Sequence, residues 1–169
     1  VAGAIWMLLP HGFPARWVGA ALLLPLFLWS APHPEPADLW MDTLDVGQGL
    51  AVLVRTRNHA LLYDTGPAFS GQIDAGDRIV VPHLRASGVG RLDAMIVSHD
   101  DLDHSGGALA VLTALPVGSV SSSLPGSHPI VLAAPRNRRC IAGDAWEWDG
   151  VFFEILHPPA DSYNDPKIK

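Results

Sequence analysis

The sequence predicts a layered α/β domain built on a mixed sheet. Three observations carry that expectation. Apolar runs of strand length recur over most of the chain, two segments of helical spacing interrupt them, and a dense cluster of His and Asp lies between a short apolar strand and a helix opened by Gly106-Gly107. In open α/β sheets, side chains converge on ligands at the carboxyl ends of strands, so the cluster stands where chemistry is expected.

The elements follow in order. The globular part begins near Leu39. Leu39–Asp45 and Leu50–Thr56 read as strands joined at Gly47-Gln48-Gly49, and Ala60–Asp64 reads as a third. Ile79–Ser87 has helical spacing, with Asp77 as its N-cap. Asp93–Ser98 is a short apolar strand and Gly106–Leu115 a helix. Val117–Ser122, Ile130–Ala134, Trp146–Trp148 and Val151–Leu156 complete the set of expected strands.

Composition bounds the function. The 169 residues are 49% hydrophobic, enough for one domain with a sizeable core. A net charge of −6 argues against a generally basic face for nucleic acid, so any such contact must be local. Cys140 is the single cysteine, which excludes an internal disulfide and a Cys-rich zinc site. Any metal must be held by the 8 His and the 17 Asp and Glu.

Residues 1–31 differ from the rest. They contain no acidic residue and one formal charge, Arg16. Ala2–Leu9 is apolar, Pro10-His11-Gly12-Phe13-Pro14 reads as a turn, and Trp17–Trp29 is a second apolar run. A helix from Arg16 to Ala31 would span roughly 24 Å at 1.5 Å per residue, slightly short of a hydrocarbon core about 30 Å thick. Trp17, Trp29 and Trp40 at the interfaces would make up the difference, and Pro25 would kink the helix. A membrane helix ending a larger bundle fits this run better than a secretory signal peptide closed by Ser30-Ala31 or a buried soluble helix. Arg16 precedes the span and no Lys or Arg follows until Arg55, so the positive-inside rule puts the rest of the chain on the outer face. Pro32-His33-Pro34-Glu35-Pro36 reads as a stiff linker over residues 32–38. The initial Val1 and the loop-like Asn164–Lys169 read as the ends of a fragment.

The chemistry centres on Ser98-His99-Asp100-Asp101-Leu102-Asp103-His104-Ser105-Gly106-Gly107, with two His and three Asp in six consecutive positions. A solvated acidic loop is the plain alternative. His99 and His104 bracket the carboxylates, however, and imidazole with carboxylate suits Zn²⁺, Mn²⁺ or Fe²⁺.

His99-x-Asp101-x-Asp103-His104 resembles the His-x-His-x-Asp-His signature of metallo-β-lactamase-fold hydrolases, with Asp101 in place of the second His. That replacement is typical of DNA-uptake channels of the ComEC competence type. Asp45-Val46-Gly47-Gln48-Gly49 resembles the stretch that opens the ComEC-type domain, and Asp64-Thr65-Gly66 the Asp-x-Gly that precedes the metal motif. The resemblance covers roughly residues 39–169. It implies the first half of an αββα fold, tethered to a membrane by residues 1–31 as the end of a transmembrane channel domain.

It also implies roles. His99 and Asp101 would hold one divalent ion, and Asp103 and His104 a second, Zn or Mn. Two such ions can bind a bridging hydroxide, and Asp103 is the catalytic candidate that would orient it. Asp64 would accept a hydrogen bond from a ligand His, against the plain reading of a strand-end turn Asp. Asp45 either lines the site or shapes its turn. A later bridging Asp and a His pair are not visible, and Gly143-Asp144 comes too early to supply the former. His157 is more simply a strand-end His packed on Pro158-Pro159 than a ligand. This stretch alone is therefore expected to be inactive or nearly so.

The implied function is DNA uptake in natural transformation, with the metal domain a candidate nuclease for the strand that does not enter. The implied partners are incoming or single-stranded DNA, the membrane and other competence-machinery proteins, at the bacterial inner membrane with the metal domain on the periplasmic face. A metal-dependent phosphodiesterase acting on a small substrate and a non-catalytic DNA-guiding domain with a vestigial site are the alternatives. Of the remaining groups, His33, His83 and His128 read as solvent or loop residues. Arg136, Arg138 and Arg139 read as a solvated basic loop before they read as phosphate contacts, and Trp146 and Trp148 as packing.

Overall fold

The structure is a computed structural model that describes residues 2–10, 15–28, 31–70 and 73–164. It divides into two units, residues 1–31 and 32–169.

In the first unit α1 (Ala2–Met7) comes first, and α2 (Val18–Ala21) and α3 (Leu24–Leu28) stand where a single helix was expected from Arg16 to Ala31. Pro25 removes a backbone donor and its ring conflicts with the carbonyl four residues earlier, and the chain breaks at Leu22-Leu23, the turn before it. The Arg16 guanidinium donates to the Met7 carbonyl, capping α1. Among the described residues no helix is long and apolar enough to cross a membrane. His11–Pro14, Trp29 and Ser30, which carried part of the sequence reading, lie outside the described residues, as do the residues from Asp165 on.

The second unit is organised by a six-stranded mixed sheet. Its strands are β1 (Trp40–Thr43), β2 (Val52–Arg55), β3 (Ala60–Tyr63), β6 (Leu92–Val97), β7 (Val117–Ser122) and β8 (Asn137–Arg139), in that spatial order. β1, β2 and β3 are antiparallel neighbours, whereas β3, β6, β7 and β8 run parallel. Register explains the core. Leu53, Leu62, Met95 and Val120 are cross-strand partners in one row and each is fully buried. They share one cluster with Val80 and Leu84 around α4 (Val81–Ala86), Val111 of α6 (Ala108–Ala114) and Ile130 of α7 (Pro129–Ala133). Each such side chain contributes about 1.5–3 kcal/mol of transfer free energy. The alternate row, Val52, Tyr63, Ile96, Ser121 and Arg138, belongs to the opposite face. There the hairpin of β9 (Ala145–Trp148) and β10 (Val151–Glu154) helps to line an apolar groove of about 920 Å³ with Met41, Val54, Tyr63 and Ile96.

Asp149 ties the tip of that hairpin to the β2–β3 turn. It accepts hydrogen bonds from Thr56 Oγ1 at 2.6 Å, from Asn58 N and Nδ2 at 2.8 and 2.7 Å, and from His59 Nδ1 at 3.0 Å. Those donors, Thr56 foremost and then His59, hold its carboxyl well below the usual carboxylate range. The His59 ring stacks on Trp148 at 4.9 Å, and Trp146 stacks on Phe153 at 5.2 Å.

Several expectations are corrected. Ile130–Ala134 is helix, not strand: Pro129 presets the first helical position and the His128 ring caps it by accepting from Ile130 N. Asp77 is not the N-cap of its helix. Asp74, at the end of the short β4–β5 hairpin (Ala68–Ser70 and Ile73–Asp74), accepts from Asp77 N at 2.8 Å, and the segment Gly76–Val80 between Asp74 and α4 is a π-helical turn. Trp40 belongs to sheet strand β1, with the Arg55 guanidinium over its ring. Strand β8 was not expected, because Asn137-Arg138-Arg139 has no apolar residue to announce it.

Candidate metal centre

β6 delivers the loop. Val97, its last residue, is fully buried, and Ser98, His99 and Asp100 follow directly at the carboxyl end of the sheet. α5 (Leu102–Ser105) then places Asp103 and His104 on one helical turn. Two glycines allow the close packing beneath it. A Cβ on Gly49, which also holds a φ of +138°, would collide with the Asp103 carbonyl, and one on Gly106 would collide with the Ala68 nitrogen.

A buried carboxylate anchors both imidazoles. Asp64 is fully buried, in the left-handed backbone region at φ +55° that Asp tolerates better than most residues. It accepts from Ser98 N at 2.8 Å, Ser98 Oγ at 2.7 Å and His104 Nδ1 at 2.8 Å. Ser98 Oγ also lies 2.8 Å from His99 Nδ1. A hydroxyl carries one proton. The Ser98 hydroxyl that donates to Asp64 therefore accepts from His99 Nδ1–H. Both rings are thus fixed as the tautomer whose Nε2 is free to bind a metal.

Those Nε2 atoms face carboxylates. His99 Nε2 is 3.2 Å from Asp101 Oδ2, and His104 Nε2 is 3.9 Å from Asp103 Oδ2. The two rings lie 4.2 Å apart. Two ligands each ~2.1 Å from a tetrahedral ion stand ~3.4 Å apart, so the His99–Asp101 spacing suits one ion. Among the described residues, no three His, Cys, Asp or Glu side chains converge closely enough to cage an ion as they stand. The four residues are present as two imidazole–carboxylate pairs, and the chemistry of the set, with Nδ1 of each ring tied back and Nε2 directed outward, fits divalent metal.

The surrounding contacts sort the other residues. Asp100, the third Asp of the loop, turns away: His128 Nε2 donates to its Oδ1 at 2.9 Å. Ser123 Oγ donates to the Ser98 carbonyl at 2.8 Å, and Thr65 N and Oγ1 both donate to the His104 carbonyl. Asp45 is exposed and accepts from Gly47 N at 3.3 Å, which shapes its turn. That loop reaches the site through backbone, with Leu50 N donating to the Asp103 carbonyl at 3.1 Å. His157 is exposed and lines the apolar groove together with Ser98 and His99. Cys140 is buried, which pushes its thiol up to about 11 and makes it a poor nucleophile. Sequence reasoning missed Ser98 as the link between His99 and Asp64. Its only signal was a hydroxyl residue directly before the first His.

The chain is 41% identical to the competence protein ComA of Neisseria gonorrhoeae over 94% of its own length and 21% of that protein's. It is 41% identical to recombination protein 2 of Haemophilus influenzae, over 70% of this chain and 14% of that one. It is 36% identical to the uncharacterized protein YcaI of Escherichia coli, over 90% and 18%. The chain thus spans about a fifth or less of the length of these relatives. The family model described as the metallo-beta-lactamase superfamily matches residues 44–158, which include the whole loop and Asp64. By that match, the chain belongs to the metallo-beta-lactamase superfamily.

Proposed function

We propose that this chain is the metal-binding hydrolase region of a DNA-uptake protein, acting on the phosphodiester backbone of the strand that is not imported. The observation that carries the metal reading is the pair of imidazoles oriented through one buried carboxylate. Similarity to a competence protein over 94% of the chain supports the DNA reading. Divalent ions held by His99 with Asp101 and by Asp103 with His104 would supply positive charge to a phosphodiester and acidify an attacking water. The chain's own contribution is orientation. Asp64 and Ser98 fix the imidazoles, and Asp103, on the helical turn α5, would hold a water proton. The groove beside His99 gives an apolar wall to whatever approaches.

We further propose membrane association. In the first unit Leu8, Trp17, Leu26, Phe27 and Leu28 are all at least 70% exposed, an apolar surface that water does not favour. The outer face and the competence-machinery partners belong to the same proposal, and the sign of the charge around Arg16 supports that orientation.

The test is cleavage of single-stranded DNA by the intact protein with added Mn²⁺ or Zn²⁺, beside Asp103→Ala. Metal-dependent cleavage that the variant loses is the expected result. A folded, metal-loaded wild type that leaves DNA intact would sink the nuclease reading, and cleavage confined to a small phosphodiester would favour the small-substrate alternative.

A further inference from the structure

We infer that Arg138 and Arg139, on the edge strand β8, form a phosphate-binding subsite that holds a single nucleic-acid strand beside the metal loop. The inference deepens the nucleic-acid reading above and rests on it for the identity of the ligand.

Charge is the first observation. No Asp or Glu occurs between Asp103 and Asp144, and Arg136, Arg138 and Arg139 are the only Lys or Arg in that stretch of a chain whose net charge is −6. All three are exposed, and among the described residues none of the three is in an ion pair, whereas Arg55, Arg57 and Arg91 are. An unpaired guanidinium keeps its planar fork available for a phosphate.

Position is the second. Arg139 pairs with Ser122, and Ser122 pairs with Val97, the residue before Ser98 and His99. Arg139 therefore lies two strand spacings, about 10 Å, from the strand that delivers the metal loop. That distance matches about three stacked nucleotides at ~3.4 Å each. The Arg139 guanidinium is also steadied over the Tyr163 ring, 4.7 Å from its centroid, and the Tyr163 hydroxyl donates to the Cys140 carbonyl.

Shape is the third. Arg138, in the row of Ser121 and Ile96, lines a cavity of about 330 Å³ together with Ser119, Ser121, Trp146 and Asp144, and Arg139, the next residue of the edge strand, borders it. The volume lies within the range of small-ligand sites. The lining combines cations, hydroxyl donors and an aromatic ring, a mixture suited to a nucleotide. Asp144 opposes the charge, so the arginines carry the phosphate contact.

The experiment measures binding of a fluorescent single-stranded oligonucleotide to the intact protein over a range of salt, for wild type, R138E/R139E and R138Q/R139Q, with melting curves to establish that each variant is folded. The expected result is at least tenfold weaker binding for the reversal, a smaller loss for the Gln pair, and a drop in the salt slope of about 1.4, at ~0.7 per lost phosphate contact on a single strand. Unchanged affinity and slope in the folded variants overturn the inference. Because binding is read without turnover, wild type that binds DNA through these arginines but does not cleave it retires the nuclease reading and leaves this subsite standing.

Discussion

Two aspartates in this chain do the same local job with different consequences. Asp64 and Asp149 both sit at φ +55°, and both gather three or more hydrogen bonds from distant segments, including one from a His Nδ1. What differs is the far side of the imidazole. His59 beyond Asp149 stacks its ring on Trp148, so its surface is spent on packing. His104 beyond Asp64 directs Nε2 toward Asp103, at the carboxyl end of the sheet beside a second oriented His. One carboxylate–histidine pair holds a hairpin to a turn, and the other leaves the second ring nitrogen facing another carboxylate. An Asp–His contact therefore does not identify a metal centre until the second ring nitrogen is followed to its neighbour.

The comparison can be broken most forcefully at Asp64. Asp64→Ala leaves the Ser98 amide and His104 Nδ1 without a buried acceptor. It should destabilise the fold by about 2–4 kcal/mol and weaken zinc binding about 10–100-fold, read by chemical denaturation and by competition with a chromogenic chelator. His104→Ala should reduce metal stoichiometry in the intact protein, whereas His59→Ala should leave it unchanged and cost about 1 kcal/mol of stacking. Equal metal loss in both variants would erase the distinction drawn here.

Acid sharpens the contrast. The folded carboxyl of Asp149 titrates below its unfolded value of about 3.9. Its contribution to stability is complete above about pH 4 and is lost as pH falls below that. Asp149→Asn should flatten the acid limb of the stability profile, followed by circular dichroism, without moving metal affinity. The smallest expected effect is Ser98→Ala, which frees His99 Nδ1 while keeping the Asp64–His104 contact. It should lower zinc affinity several-fold at a stability cost of about 1 kcal/mol, and a cobalt-substituted spectrum identical to wild type would show that the hydroxyl does not orient His99.

Much of this was legible in local pattern. The runs Leu50–Thr56, Ala60–Asp64 and Asp93–Ser98 announce β2, β3 and β6 because one face of each strand must be apolar to enter the core. The His-x-Asp-x-Asp-His spacing announces the loop because its donors all lie within one short segment. Where local signals conflicted, reading failed. Ile130–Ala134 has strand-like composition, yet Pro129 and the His128 cap make it helical. Trp17–Trp29 is apolar enough for one helix, yet the chain turns ahead of Pro25.

By itself, then, the sequence determined the mixed α/β architecture of the second unit, the place of the His–Asp loop after β6 and the family to which the motif belongs, since these depend on periodicity and on residues adjacent in the chain. Only the tertiary structure decided that Asp64 reaches His104 forty positions away, that Ser98 joins His99 to the same carboxylate, that Asp100 is diverted to His128, and that β8 sets its arginines two strands from the loop. The reach of Asp64 to the loop and the place of β8 depend on the register of parallel neighbours. Register comes from burying one row of side chains across several strands at once, and no single segment carries that information.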